Sequence, residues 1–234
     1  MKPDQPSRSN REPALVSFSG IDGAGKSTQI EIFCARLCQS GIRVLGVAFW
    51  DDVAVLKGSR QFTSHKLFRS EQGVGAPGQP VNRRDKNVQS WYMTPVRFGL
   101  YLLDAVSLCV AVARARASRA EVIVFDRYLY DELVNLQRSG VVVRAYVRGL
   151  LGLCPKPDVA YVLDAHPASA RARKPEYPLE FLQSSRASYM TLAELAGMAV
   201  IPPGSVEDVS ARVMQAFLKK SDLAVSPRRA EADL

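Results

Sequence analysis

Apolar and polar positions follow two rhythms along this chain. Short, mainly apolar runs lie at 14–19, 43–49, 122–125, 159–163 and 199–201. Runs of this length, bounded by polar or turn-forming residues, read as strands buried on both faces, as in a parallel sheet. Between them lie segments with the 3.6-residue period of helices. One spans 26–39, with Ile30, Phe33, Cys34, Leu37 and Cys38 on its inner face. Another resumes at 91–118 and is apolar nearly all round over 98–112, which predicts a largely buried helix. A third, 179–196, turns Phe181, Leu182, Tyr189, Leu192 and Leu195 inward, and a last one after Ser205 does so with Val209, Val213, Phe217 and Leu218. Shorter helical pieces are expected at 131–137, 143–151 and 167–173, and a further helix at 53–67.

The punctuation agrees with the periods. Gly41 stands where a left-handed residue ends the first helix. Ser205 followed three residues on by Asp208 resembles a capping box, and Pro95 suits a first helical turn. Strand and helix alternating about five times predict an α/β fold, a P-loop NTPase-type parallel sheet of about five strands with helices on both faces, right-handed crossovers and a short lid. Residues 1–12 and 221–234 read as flexible tails around one domain at 13–220. The stretch 71–87, rich in Gly and Pro and closing on Arg83, Arg84 and Lys86, reads as a long loop.

In such a fold ligands sit at the carboxyl ends of the strands. The first strand runs into Gly20, Ile21, Asp22, Gly23, Ala24, Gly25, Lys26, Ser27 and then Thr28, which fits G-x-x-x-x-G-K-[ST] and opens a helix. Glycines let backbone approach a polyphosphate, successive N–H groups form an anion nest, and the helix dipole adds to it. Lys26 is the point charge for the β- and γ-phosphates, and Ser27 the hydroxyl ligand for Mg²⁺. Asp126 follows four apolar residues at the end of the third strand, the place of a Mg²⁺-holding carboxylate. Arg127 beside it can take an acceptor phosphate with both arms of its fork. Arg171, Arg173 and Lys174 cluster between the fourth strand and the next helix, in a lid expected at about 165–178. The parts suit phosphoryl transfer, with ATP and Mg²⁺ as donor and cofactor.

Composition narrows the classes. The 234 residues are 47% hydrophobic and 23% charged, as in ordinary globular proteins. A net charge of +8 suits a protein that handles several phosphates. The arginines are dispersed and match no nucleic-acid-binding module, so small phosphorylated ligands are favoured over nucleic acid. Cys34, Cys38, Cys109 and Cys154 form no C-x-x-C pair; Cys34 and Cys38, on one helix face at i, i+4, read as small buried hydrophobes, and a reducing cytoplasm is the expected compartment. No apolar core of signal-peptide length opens the chain, and no run approaches 18 apolar residues, so no membrane span is expected. His65 and His166 are isolated and receive no role.

The stretch from Phe18 to Gln29 resembles the opening of thymidylate kinases. Asp126-Arg127-Tyr128 resembles that family's Asp-Arg-Tyr/His motif, and Pro157-Asp158 with Leu163-Asp164-Ala165-His166-Pro167 resembles its fourth strand and the start of its lid. Phe181-Leu182, Arg186 and Tyr189 resemble the helix after the lid. The resemblance spans roughly 14–220 and is weak over 50–95. It implies ATP, Mg²⁺ and a deoxynucleoside monophosphate acceptor, with Asp22, Arg127 and Tyr128 on the acceptor side, and it leaves a homodimer open. It implies that Tyr101 stacks on the acceptor base, and that lid arginines, Arg171 and Arg173, serve where Gly23 replaces a loop arginine. Two departures stand out: Trp50-Asp51-Asp52-Val53 follows the second strand, and Ala105 occupies a position the family fills with arginine. A hydroxyl acceptor, as in deoxynucleoside kinases, would need a general base, for which Asp51 or Asp52 is placed. A third possibility is a P-loop ATPase stimulated by a nucleic-acid or protein partner.

Overall fold

The computed structural model describes residues 12–54, 93–134, 136 and 140–220, with 93–97 as backbone alone. The tails, the helix expected at 53–67 beyond Ala54, the loop 71–87 and His65 lie outside the described residues. Five strands form one parallel sheet: β1 (Ala14–Ser19), β2 (Val44–Ala48), β3 (Val122–Asp126), β4 (Val159–Leu163) and β5 (Ala199–Ile201). Their order is β2-β3-β1-β4-β5, so β1 is central, with β3 and β4 as its neighbours. The helices are α1 (Lys26–Gln39), α2 (Met93–Arg116), α3 (Leu129–Leu133), α4 (Val141–Leu153), α5 (Pro167–Arg173), α6 (Leu179–Ala196) and α7 (Val206–Lys220). Residues Phe49–Val53 wind into a single π-type turn.

Side chains alternate across each strand, and each face has its own core. Leu15, Ile123, Phe125, Ala160 and Val162 pack beneath α2, α3, α4 and α6. Val16, Phe18, Val124, Tyr161 and Leu163 pack against Phe33 and Leu37 of α1 and Val213 and Phe217 of α7. In the second core the Phe18 ring lies 5.7 Å from Phe33 and 4.8 Å from Tyr161, and Phe33 lies 5.1 Å from Phe217. These edge and tilted contacts anchor the strand before the phosphate loop and the helix after it in one apolar cluster. Asp158 reinforces the start of β1 by accepting the Leu15 N–H at 2.7 Å.

Turn chemistry acts as its residues predict. Gly41, at φ 75°, donates to the Cys38 carbonyl while Ile42 donates to that of Leu37. Ser205 accepts the Asp208 N–H at 3.1 Å, which caps α7.

The helix faces depart from expectation in four places. Leu102, Leu103, Val106 and Val110 on α2 are about half exposed, because the sheet takes only the face bearing Tyr101, Ala105, Leu108 and Val112. An all-round apolar pattern cannot say which side meets the core. Leu195 and Leu218 are 40% and 48% exposed, since their helices bury the adjoining stripes through Leu192 and Phe217. Cys38 is exposed and Cys34 half-buried, while Cys154 is buried. The fourth departure concerns membranes: 98–116 is long and apolar enough to cross one by length and composition, although only a third of it is buried here. Its inner face is already spent on the sheet, and Asp104 within it is fully buried in protein.

All four thiols are free. Burial pushes the Cys154 thiol up to about 12, with Cys109 beside it adding to the rise. Iodoacetamide at about pH 8 should therefore label Cys38 far ahead of Cys154, because the thiolate is the reacting form. Peptide mass mapping over time reads this directly; equal labelling of the two would contradict the packing of Cys154 under α2.

Candidate active site

The site is built where β1, β3 and β4 end. The β1–β3 register pairs Phe18 with Asp126, and the Arg127 N–H donates to the Phe18 carbonyl at 3.0 Å. Adjacent strands thus deliver the Gly20–Ser27 loop and Asp126-Arg127 to one edge of the sheet.

Within the loop, Gly20, Gly23 and Gly25 have φ of 143°, 83° and 88°. Two of them also meet close neighbours. A Cβ on Gly20 would come within 2.6 Å of the Leu163 carbonyl oxygen, and one on Gly23 within 2.3 Å of that of Ala170. The loop is therefore clamped between the end of β4 and α5. Lys26 is 7% exposed, and its Nζ donates to the carbonyls of Gly20 at 2.7 Å and Ile21 at 3.0 Å. The ammonium is held inside the curve of the loop. Ile21 turns its side chain into the core, so only its backbone faces a ligand. Ser27 and Thr28 are exposed on the first turn of α1.

The α5 helix lies within the segment expected to form a lid. Its backbone at Ala170 is the surface that Gly23 touches, and Arg173 lies three residues on, along the same side of the helix. Arg173 is exposed and Arg171 half-buried. The lid's far end is tied down: Lys174 pairs with buried Glu176 at 3.3 Å, and Tyr177 lies 4.9 Å from Phe181 of α6. Exchanging Gly23 for Ala strains a left-handed backbone and pushes α5 off the loop. A fall in Tm of about 3–10 °C is expected, with lost turnover, and calorimetry of G23A checks it. A wild-type Tm would mean that the lid does not rest on Gly23.

Arg127 has φ of 69°, the sole non-glycine positive φ among the described residues. Strain of this kind persists only where surroundings hold it, and it gathers at functional sites. Its guanidinium pairs with Asp22 through one arm and approaches Asp131 Oδ1 at 3.8 Å through the other. Burial alone would lower its pKa, but Asp22 and Asp131 outweigh that and hold it above the ordinary arginine value. A narrow cleft opens beside this group, lined by Gly20, Asp22, Arg127, Asp131, Phe181 and Tyr189 among others.

Tyr128 and Tyr101 need correction. Tyr128 is 1% exposed, donates its hydroxyl to the Pro155 carbonyl, and has its phenol pKa raised by burial. It supports the motif from the core and does not face an acceptor. The chain leaves β3 at Asp126 and turns at Arg127, and the Tyr128 ring then lies 5.3 Å from that of Phe125 in the same core. Tyr101 is 5% exposed in the core under α2, with Ala105 fully buried one turn on. The α2 face meant for a base-stacking aromatic and an arginine is thus committed to packing. Asp51 is exposed on the π-type turn, and β3 stands between its strand and β1. Neighbouring Asp52 is engaged, accepting the Ala48 N–H at 2.8 Å.

Asp131 and Tyr189 line the cleft, although the sequence marks them only as helix residues. Asp131 is 3% exposed and accepts from Ser19 Oγ at 2.7 Å, the Tyr128 N–H at 3.1 Å and the Tyr189 hydroxyl at 2.7 Å. An acid five residues after the strand-ending Asp126 was the available signal. Farther along the edge, Arg186 grips Asp164 with two bonds of 2.6 and 2.7 Å.

Among the described residues no cluster of three or more His, Cys, Asp or Glu could hold a metal. Mg²⁺ does not need one, since it keeps waters and phosphate oxygens and takes one or two protein ligands. Ser27 and Asp126, on adjoining elements at the loop, fit that demand.

Sheet order, glycine loop and buried lysine together define a P-loop NTPase-type α/β protein. No family model matches the chain. It is 26% identical over 211 residues to a "Probable thymidylate kinase" of Pyrobaculum aerophilum, covering 86% of this chain and 95% of that protein. It is 24% identical over 220 residues to the thymidylate kinase of Chlorobium luteolum, covering 85% and 89%. The solved thymidylate kinase of Candida albicans superposes with a TM-score of 0.58 at 13% identity, over 89% of this chain and 92% of that one. The chain is thymidylate kinase-like in sequence and in fold.

Proposed function

We propose that this nucleotide kinase transfers the γ-phosphoryl group of ATP to a nucleoside monophosphate, thymidylate or a close relative. The observation that carries this is the Phe18–Asp126 pairing, which sets the phosphate loop and Asp126-Arg127 side by side. The loop amides and Lys26 grip the donor's β- and γ-phosphates. Ser27 and Asp126 would hold Mg²⁺, which neutralises charge on the donor phosphates. Arg127, kept cationic and aimed by two carboxylates, binds the acceptor phosphate. An acceptor oxygen then attacks the γ-phosphorus in line and ADP leaves. Lid arginines neutralise the charge spread over the transferred group. An ionised phosphate needs no base to attack, and the site supplies cations rather than one.

Tyr101 and Ala105 are packed in the core, so the acceptor's base is identified by assay. ADP release with Mg²⁺ should be followed across a panel of nucleoside monophosphates, nucleosides and polynucleotides. Signal with monophosphates is expected. Signal only with nucleosides would move the chemistry to Asp51, and signal only with polynucleotide would end both readings. The same proposal places the protein in the cytoplasm, where free thiols persist. The exposed apolar stripe of α2 supports pairing of two copies.

A further inference from the structure

We infer that Asp131, braced by Ser19 and Tyr189, is the positioning residue that fixes the Arg127 guanidinium for the acceptor's anionic group. This rests on the phosphate-acceptor reading above.

The two oxygens of Asp131 have different tasks. Oδ2 accepts from Ser19 Oγ and the Tyr128 N–H, which starts α3 and ties it to the end of β1. Oδ1 faces the site, where it accepts the Tyr189 hydroxyl and lies 3.8 Å from Arg127. A helix cap needs only the first pair. The second pair touches nothing that α3 requires, and it meets the one non-glycine residue held at positive φ among the described residues. Asp22 takes the opposite arm of the fork. The guanidinium is therefore held between two acids on separate elements, the phosphate loop and α3, with its remaining donors free of that constraint. Tyr189 comes from α6, directly after the lid, so α6 contributes to the aim as well. Tyr189 is raised well above an ordinary phenol by burial and by the Asp131 charge, so it stays a donor.

The substitution Asp131→Asn separates the tasks. Its amide oxygen can keep the cap, while its NH₂ then faces Tyr189 and Arg127, two donors. Acceptor KM should rise by about tenfold to a hundredfold, with ATP KM within about twofold. Tyr189→Phe should move acceptor KM the same way by a smaller factor, and it keeps the test alive should D131N fold poorly. Arginine side-chain ¹H–¹⁵N spectra add a readout that needs no turnover. Arg127 should give a resolved, slowly rotating guanidinium signal in the wild type that broadens in both variants. An unchanged Arg127 signal with unchanged acceptor KM overturns the inference. So does a drop in Tm alone, which is what a purely structural Asp131 predicts. A wild type that turns over no phosphate acceptor, yet loses its ordered Arg127 signal in D131N, refutes the functional reading and leaves the positioning role standing.

Discussion

Lys26→Ala should lower turnover by about a thousandfold or more while the protein stays folded. One preorganised donor at a developing charge is worth about 10²–10³ in rate, and Lys26 carries a full charge in a 7% exposed slot. The lysine also bridges the carbonyls of Gly20 and Ile21, so its loss slackens the loop as well. Lys26→Arg is the informative companion. A planar fork does not fit a pocket cut for one ammonium, so R at this position should rescue little despite conserving charge. Steady-state rates with circular dichroism on each variant decide the matter. Folded K26A with normal turnover would end the phosphate-loop mechanism.

Arg173→Ala should reduce kcat by about 10²–10³-fold and leave ATP KM within about threefold. The lid's backbone contacts the loop at Ala170, so ATP can bind against the loop without help from this side chain. Lid charge matters most when negative charge spreads over the group in flight, and such an interaction appears in kcat rather than in ground-state binding. Helical spacing sets Arg173 on the Ala170 side and Arg171 on the flank, so Arg171→Ala should cost less. Matched losses in ATP affinity and rate for R173A would reassign it to donor binding.

The two predictions rest on different grades of legibility. The place of Lys26 inside the loop was readable because the motif forces its own geometry: the glycines and the lysine stand at fixed spacings between β1 and α1. The strands were readable for a similar reason, since a strand covered on both faces is mostly apolar: 159–163 and 199–201 are so throughout, and 14–19 is broken only by the small Ser17 and Ser19. Asp126 was readable as the polar residue that ends such a run. The orientation of Tyr128 and Tyr101 was not. Both lie beside functional positions, and an aromatic ring suits either a core or a ligand. Asp131 was hidden because an acid in the first turn of a helix already has an ordinary explanation. Its second oxygen meets Tyr189, 58 residues away, and no local pattern records that.

By itself, then, the sequence determined the order of strands and helices, the phosphate loop and the acid that ends β3, because local period, turn residues and motif spacing act within a few residues. Only the tertiary structure decided which face of α2 is covered, that Gly23 is the seat of the lid helix, and that Arg127 is pinned between Asp22 and Asp131. Those outcomes depend on which distant surfaces meet, and burial and charge pairing are settled only when they do.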